Sequence, residues 1–119
     1  MEINKIDLDD FKIVIKLLFI NLDYLIDSKL FSIEDDYIVE KEGIQIVIRI
    51  LYKEENSLVS ISEIEQFNKN LLAHYNLNGY LVTNTKFDLD YTNNLYLFDK
   101  SIRLFDRVEI QRLIKKTTN

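Results

Sequence analysis

The chain has 119 residues, of which 47% are hydrophobic and 29% are charged, and it carries a formal net charge of −5. This balance is typical of a globular protein with one core, so we expect a single domain over residues 1–119. The chain has no cysteine, two glycines and one histidine. That composition excludes disulfides, thiolate metal sites, glycine-rich phosphate loops and histidine-based metal cages.

The apolar runs are too short to cross a membrane. The longest, residues 13–20, is interrupted by Lys16, whereas a spanning helix needs roughly 18 apolar residues. The N-terminus has no basic stretch that leads into an apolar run, so we expect no secretory signal. We therefore expect a cytoplasmic protein with no membrane partner and no small-molecule cofactor.

The first predicted element is an amphipathic helix from about Asp9 to Leu22. Its apolar residues recur at spacings of three and four, which is the pattern of one buried helix face. Asp7 or Asp9 caps its start. The next stretch, Tyr24 to Ser32, is rich in strand-forming residues and predicts a short strand. The acidic cluster Glu34-Asp35-Asp36 that follows is either a solvated turn or a ligand set for a divalent ion.

A hairpin is predicted around Gly43, because glycine tolerates the positive φ of a tight turn. The strand after it, residues 44–53, alternates with a period of two and is apolar on one face and mixed on the other. Arg49, Leu51 and Lys53 share the mixed face. This pattern is typical of a central strand that is covered on both sides.

The second half of the chain alternates helices and strands. Ser60 and Glu63 form a capping-box pattern at the start of a helix that ends near Asn76, and Asn78-Gly79 is predicted to be a turn. The remaining elements are a strand Tyr80–Asn84, a short helix Phe87–Leu95, a strand Ser101–Phe105 and a last helix capped by Asp106. The predicted order is α-β-β-β-α-β-α-β-α, an α/β fold whose mixed sheet has helices on both faces.

Four stretches of this sequence carry a resemblance to a known family. They are a helix opened by Asp10-Phe11, the segment Asp36-Tyr-Ile-Val-Glu-Lys-Glu-Gly43, the strand Gly79-Tyr-Leu-Val-Thr-Asn84, and Ile102-Arg-Leu-Phe-Asp106. In order and spacing they resemble the Mrr-type domain of the restriction-endonuclease-like superfamily, the type IV restriction endonuclease-like group. The resemblance implies a DNA setting and Mg²⁺, held by an Asp, here Asp36, and by the first residue of a Glu/Gln-x-Lys motif on the next strand.

That Glu/Gln-x-Lys motif is missing from the chain. An ungapped alignment from Asp36 places it on Arg49 and Leu51, and neither residue binds a metal cation or activates water. The Glu that many relatives carry after the first-helix Phe is Lys12 here. The resemblance thus implies a degenerate site in which Lys12, Asp36 and Arg49 form an ion-pair cluster beside Leu51. In the alternative, a two-residue slip makes Lys53 the catalytic Lys and Asp36 the metal ligand.

One candidate binding surface is the set of basic residues in the last helix, Arg107, Arg112, Lys115 and Lys116. They form either a basic face for nucleic acid or an acidic partner, or an ordinary complement to the helix dipole. Thr83 and Asn84 follow a buried strand and either hydrogen-bond a backbone phosphate or cap the next helix.

The resemblance and the missing motif together predict a catalytically degenerate domain. We expect a DNA-binding or protein-interaction subunit in DNA processing or DNA defence, with a protein partner or a homodimer. The first alternative is an active Mg²⁺-dependent DNA endonuclease that uses Asp36 and Lys53. The second is a purely structural subunit of a protein complex.

Overall fold

The computed structural model of the protein describes residues 3–27, 36–88 and 101–118. Within these ranges a 3₁₀ turn, Ile3–Lys5, precedes the helices α1 (Leu8–Asn21), α2 (Ile61–Asn70) and α3 (Arg107–Thr117). The strands are β1 (Leu25–Asp27), β2 (Tyr37–Lys41), β3 (Ile44–Leu51), β4 (Leu58–Val59), β5 (Asn78–Thr83), β6 (Lys86–Phe87) and β7 (Ile102–Phe105). No helix in the described part of the chain is long and apolar enough to cross a membrane.

Five strands form a mixed sheet in the order β1-β2-β3-β5-β7. β1, β2 and β3 are antiparallel neighbours, whereas β3, β5 and β7 run parallel. β3 therefore lies at the centre, with Tyr37 of β2 opposite Ile48 and Thr83 of β5 opposite Leu51. The carboxyl ends of the three parallel strands meet at one edge, which we call the carboxyl edge. The predicted mixed sheet is confirmed.

Apolar layers cover both faces of the sheet. α1 and α3 pack on one face, where their buried residues meet Val39, Ile48, Val82 and Phe105. α2 packs on the other face, where Ile64 and Phe67 meet Ile38, Val47 and Leu81. Because Val47 and Ile48 enter opposite layers, the two-faced alternation predicted for β3 is confirmed.

The hairpin between β2 and β3 is closed by two residues with positive φ. Glu42 has φ 54° and Gly43 has φ 80°, and the flanking Lys41 and Ile44 are paired. Two central residues with positive φ are the pattern of a turn whose twist matches that of the flanking strands. This turn fixes the register between β2 and β3.

Side-chain caps begin the three helices. Asp7 Oδ1 accepts a hydrogen bond from the Asp10 backbone amide at 2.8 Å, so of the two predicted caps it is Asp7 that acts. The predicted capping box of Ser60 and Glu63 is present at the start of α2. Asp106 Oδ1 accepts from the Glu109 backbone amide at 2.9 Å at the start of α3, as predicted.

The prediction of a turn at Asn78-Gly79 was wrong, because both residues lie in β5. A Cβ added at Gly79 would lie 2.5 Å from Phe67 Cζ, so glycine here allows α2 to approach the sheet closely. The C-terminal end of α2 continues into a π-helical turn, Leu71–Tyr75. This turn is capped by Asn76, which has φ 54°.

Two short strands were missed, and one of them replaces the start of a predicted helix. Phe87 belongs to β6, which pairs in parallel with β4 so that Val59 lies opposite Phe87. The rest of that predicted helix, residues 89–95, lies outside the described residues. The predicted strand from Tyr24 is described only as β1, since residues 28–35, including Glu34 and Asp35, also lie outside them.

Candidate functional site

Asp36 and Arg49 face each other across β2 and β3. The pairing of Tyr37 with Ile48 places Asp36 opposite Arg49, one step beyond the strand ladder. Arg49 Nε donates to Asp36 Oδ1 and Arg49 Nη2 donates to Asp36 Oδ2, each at 2.8 Å. The exposed fractions of the two side chains are 2% for Arg49 and 0% for Asp36. The pair is thus bidentate and buried, a geometry that gives a strong charge-assisted interaction.

The α2 region supplies further partners to this pair. Arg49 Nη1 donates to Asn70 Oδ1 at 3.0 Å, and the Phe67 ring centroid lies 5.0 Å from the guanidinium carbon. Tyr75, in the π-helical turn, donates its hydroxyl hydrogen to Asp36 Oδ2 at 2.9 Å. We call these five residues the Arg49–Asp36 cluster. It ties the C-terminal end of α2 to the centre of the sheet.

A second ion pair lies at the carboxyl edge. Lys53 Nζ lies 2.6 Å from Glu63 Oε2, and Glu63 Oε1 accepts from the Ser60 amide at 3.1 Å within the capping box. Burial raises the pKa of the Glu63 carboxyl, but the hydrogen bonds from Lys53 and Ser60 outweigh it and hold the pKa below 4.5. Glu63 is therefore an anion at neutral pH.

Lys12 lies near the Lys53–Glu63 pair. Lys12 and Leu51 line, with that pair, a pocket of about 210 Å³ at the carboxyl edge. Asp36, in contrast, is paired with Arg49. Arg49 precedes Lys53 by four residues, and four residues of extended backbone span roughly 13 Å. The structure thus brings Lys12 and Leu51 to Lys53 and pairs Asp36 with Arg49.

Comparison with known proteins identifies the fold. No sequence profile of a known protein family matches the chain, and no curated protein sequence matches it. Similar solved structures include the DNA modification-dependent restriction endonuclease AspBHI, with a TM-score of 0.68 and 14% identity over 92% of this chain and 31% of that one. The MspJI restriction endonuclease, solved in complex with a 27-mer oligonucleotide, gives a TM-score of 0.60 and 10% identity over 88% of this chain and 26% of that one.

The chain has a restriction-endonuclease-like fold. It spans less than a third of the length of either neighbour.

The residues at the centre of this restriction-endonuclease-like domain do not fit the Mg²⁺ that the resemblance implies. Magnesium needs oxygen ligands in near-octahedral geometry, but both Asp36 oxygens already accept hydrogen bonds from the Arg49 guanidinium. Arg49 is itself a cation, and Leu51 has no donor atom for a metal. Within residues 3–27, 36–88 and 101–118, no group of three His, Cys, Asp or Glu side chains is arranged to hold a metal ion.

Thr83 and Asn84 are used inside the restriction-endonuclease-like fold. Asn84 Oδ1 accepts from the Lys53 amide at 2.7 Å and Asn84 Nδ2 donates to the Lys53 carbonyl at 2.8 Å. The side chain thus extends the β3–β5 pairing beyond Leu51 and Thr83 and fixes the backbone of Lys53. Because Thr83 and Asn84 are both 0% exposed, we expect neither to contact a nucleic acid.

The basic residues of α3 do not form one patch. Arg107 is the first residue of the helix and its amide donates to the Thr85 carbonyl at 2.9 Å. Lys115 and Lys116 lie in the last turn, about 12 Å or more from Arg107 along the axis. Arg112 is paired with Glu109 at 2.6 Å. Arg107 therefore belongs to the carboxyl edge, apart from the other three.

Sequence reasoning missed four residues of these sites. Phe67, Asn70 and Tyr75 contact the pair of Arg49 and Asp36 through tertiary packing, and no local pattern distinguishes them from other helix residues. Glu63 was predicted only as a capping residue. Its second role, as the ion-pair partner of Lys53, had two signals in the sequence. These were the basic Lys53 at the end of the predicted strand and the short distance in sequence from that strand to the helix of Glu63.

Proposed function

We propose that this chain is a catalytically inactive, Mrr-type restriction-endonuclease-like domain that binds DNA in DNA processing or DNA defence. The observation that carries the proposal is the bidentate pairing of Asp36 with Arg49 at 2.8 Å inside the protein. A cytoplasmic location stays a prediction.

Chemistry supports the inactive state. Nuclease action of this class needs a metal to polarise the phosphate and to generate a nucleophile from water. The Arg49 guanidinium neutralises the Asp36 carboxylate, which would bind that metal. Removing the guanidinium would leave the buried charge of Asp36 uncompensated. The pair is thus a stable arrangement that competes with metal binding.

The fold and the cations of the carboxyl edge support DNA as the partner. The neighbours in structure are restriction endonucleases, and one of them was solved with an oligonucleotide. At the carboxyl edge of this chain Lys12 and Lys53 line one pocket, where Lys53 is paired with Glu63, and Lys86 and Arg107 line another. Cations of this kind contribute affinity for the phosphate backbone, whatever the net charge of the chain.

The test is a gel with supercoiled plasmid at low salt, in the presence of Mg²⁺, Mn²⁺ or EDTA. The expected result is retardation of the plasmid that does not depend on the metal and that weakens steeply with salt, without nicking. Lys53→Gln is the control variant, because it removes the catalytic candidate of the alternative without disturbing the buried pair.

Each other result decides against the proposal. Metal-dependent nicking that Lys53→Gln abolishes establishes the active endonuclease that uses Asp36 and Lys53. The absence of both nicking and retardation at low salt removes DNA from the account and leaves a protein-interaction or structural subunit.

An apolar stripe on α1 favours protein interaction as a second candidate function. Ile13, Leu17 and Ile20 are 55%, 54% and 50% exposed, and their spacing of four and three places them on one side of the helix. An exposed apolar stripe of this kind is typical of an interaction surface. We propose that it contacts a second copy of the chain or another protein.

The homodimer is tested by light scattering, which measures the oligomeric state of the protein in solution. If the stripe forms the interface, the wild-type protein is a dimer and Leu17→Lys is a monomer, whereas Ile44→Lys, at an equally exposed position on β3, remains a dimer. A wild-type protein that stays monomeric at high concentration removes the homodimer.

A further inference from the structure

A small pocket at the carboxyl edge is built from three chain segments. The loop after β3 contributes Asn56 and Ser57, the segment after β5 contributes Thr85 and Lys86, and the start of α3 contributes Arg107. Its volume is about 160 Å³, which equals roughly five water molecules at about 30 Å³ each. That is enough for one tetrahedral oxyanion and part of its hydration shell.

The ionisable side chains that line this pocket have one sign. Among residues 3–27, 36–88 and 101–118, the ionisable residues that line it are Lys86 and Arg107, and no carboxylate of those residues lines it. In the described part of the chain, neither side chain forms an ion pair, in contrast to Arg112, which is paired with Glu109. Three acids lie close in sequence to the lining residues, namely Glu55, Asp88 and Asp106. Asp106 is engaged as the N-cap of α3, and Asp88 and Asp106 line a neighbouring pocket with Lys86. The pocket thus collects two cations whose charge is not neutralised by a salt bridge.

The remaining lining residues are held by the fold, and all of them except Leu58 carry hydrogen-bonding side chains. The Arg107 amide donates to the Thr85 carbonyl at 2.9 Å, which joins the start of α3 to the segment after β5. Thr85 is buried, and its amide donates to Thr83 Oγ1 at 3.3 Å. Lys86 is paired with Leu58 in the small β4–β6 sheet. These contacts hold the three segments together without a ligand, so an anion needs little reorganisation to bind.

We infer that this pocket binds a phosphate group, and that on DNA it holds one phosphate of the backbone. The inference rests on the proposed DNA-binding function for the source of that phosphate, but the pocket chemistry is the same for a free phosphate ion. Arg107 supplies a forked set of donors and Lys86 a compact ammonium, the two side chains most used for phosphate oxygens. Ser57 and Asn56 add neutral donors.

The first experiment uses inorganic phosphate as the probe, followed by two-dimensional NMR of the wild-type protein. The expected result is saturable shifts of the Ser57, Thr85 and Lys86 amides and of the Arg107 side-chain NH. Arg107→Gln should abolish the saturation, whereas Lys115→Gln, the same charge change in the last turn of α3, should leave it intact. Shifts that do not saturate, or that are the same in both variants, overturn the inference.

The second experiment uses a double-stranded oligonucleotide and identifies the source of the phosphate. The variant Lys86→Gln/Arg107→Gln should bind about tenfold more weakly than the wild-type protein, and the slope of log affinity against log salt should fall by about one. Lys115→Gln/Lys116→Gln makes the same total charge change and should have a smaller effect.

The two experiments separate the two claims. Equal weakening by both double variants overturns the pocket inference while DNA binding stands. Phosphate binding without any oligonucleotide binding keeps the pocket as a site for free phosphate and removes the proposed DNA function.

Discussion

The guanidinium of Arg49 and the carboxylate of Asp36 form a bidentate ion pair at 2.8 Å in the interior of the protein. Asn70 and Tyr75 each add one hydrogen bond to it, so all four side chains are linked. The positive charge that balances Asp36 is therefore supplied by a side chain, Arg49. This relationship explains how the buried carboxylate is stabilised by the chain itself.

Removal of Arg49 should be strongly destabilising. Arg49→Met keeps most of the side-chain length but leaves Asp36 buried without its partner, which costs about 3–5 kcal/mol. Urea unfolding measures the loss. Arg103→Met is the matched control, because Arg103 is 57% exposed and its ion pair with Glu109 is long at 3.5 Å. The control should lose less than about 1 kcal/mol, and equal losses in the two variants would contradict the account.

The double variant Asp36→Asn/Arg49→Met provides a second check if Arg49→Met does not fold. A neutral Asn at position 36 no longer buries a charge, so the double variant should be more stable than Arg49→Met alone. A double variant that is no more stable than Arg49→Met, or that also fails to fold, would mean that the side chains do not interact.

The Arg49–Asp36 pair was expected because the resemblance places both residues in one degenerate site. The hairpin at Gly43 was predicted from the sequence, and in the structure its two-residue turn sets a register that places position 49 opposite position 36. The contacts from Phe67, Asn70 and Tyr75 were not predictable in this way, because they depend on how α2 docks on the sheet. Lys12, which the resemblance placed with Asp36 and Arg49, lines the pocket with Lys53 and Glu63.

Other errors of the sequence analysis have physical causes of the same kind. Asn78-Gly79 has turn chemistry, but close packing of α2 is the stronger constraint on Gly79. β4 and β6 have two residues each, which is too short for a period-two pattern to be detected. The three helices and the central strand were predictable because their hydrophobic periodicity and their caps depend on residues that are close together in the sequence.

Gly79→Ala should destabilise the protein by overpacking. The new Cβ would lie 2.5 Å from Phe67 Cζ and 2.9 Å from Leu71 Cδ1, and such an insertion costs about 1–3 kcal/mol. Thermal unfolding measures the loss. Phe67→Leu should partly rescue the variant, because it shortens the side chain that clashes. If Gly79→Ala is as stable as the wild-type protein, the described approach of α2 to β5 is incorrect.

Glu42→Asn should stabilise the hairpin. Glu42 has φ 54°, a conformation that asparagine adopts more easily than glutamate, and Asn-Gly is the favoured pair for this turn. We expect a gain of roughly 0.5 kcal/mol in the free energy of unfolding. Glu42→Val is the opposite control, since a β-branched residue is strained there, and a gain in that variant would contradict the turn geometry.

The Lys53–Glu63 pair should make stability depend on pH in the acid range. The pKa of Glu63 is lower in the folded protein than its ordinary value of 4.5, so the unfolded chain binds the proton more tightly. The pair thus contributes stability above about pH 4.5, and the contribution is lost as pH falls through the lower pKa of the folded state.

Glu63→Gln tests this dependence and keeps the capping box, since glutamine also serves at that position. The variant should be less stable than the wild-type protein by up to about 1 kcal/mol at pH 7, and the difference should shrink on acidification below pH 4.5. Glu65→Gln, on the exposed part of the same helix, should show no such convergence. A difference that stays constant down to pH 2 would contradict the pairing.

The most direct test of the central claim is a titration of thermal stability with Mg²⁺ and Mn²⁺. The wild-type protein should not respond, because Arg49 already satisfies Asp36. Arg49→Glu/Leu51→Lys restores the metal-binding pattern that the resemblance implies, and it should be stabilised by Mg²⁺, by about 2.7 kcal/mol at a hundredfold excess over Kd. Stabilisation of the wild-type protein that disappears in Asp36→Asn would contradict the account.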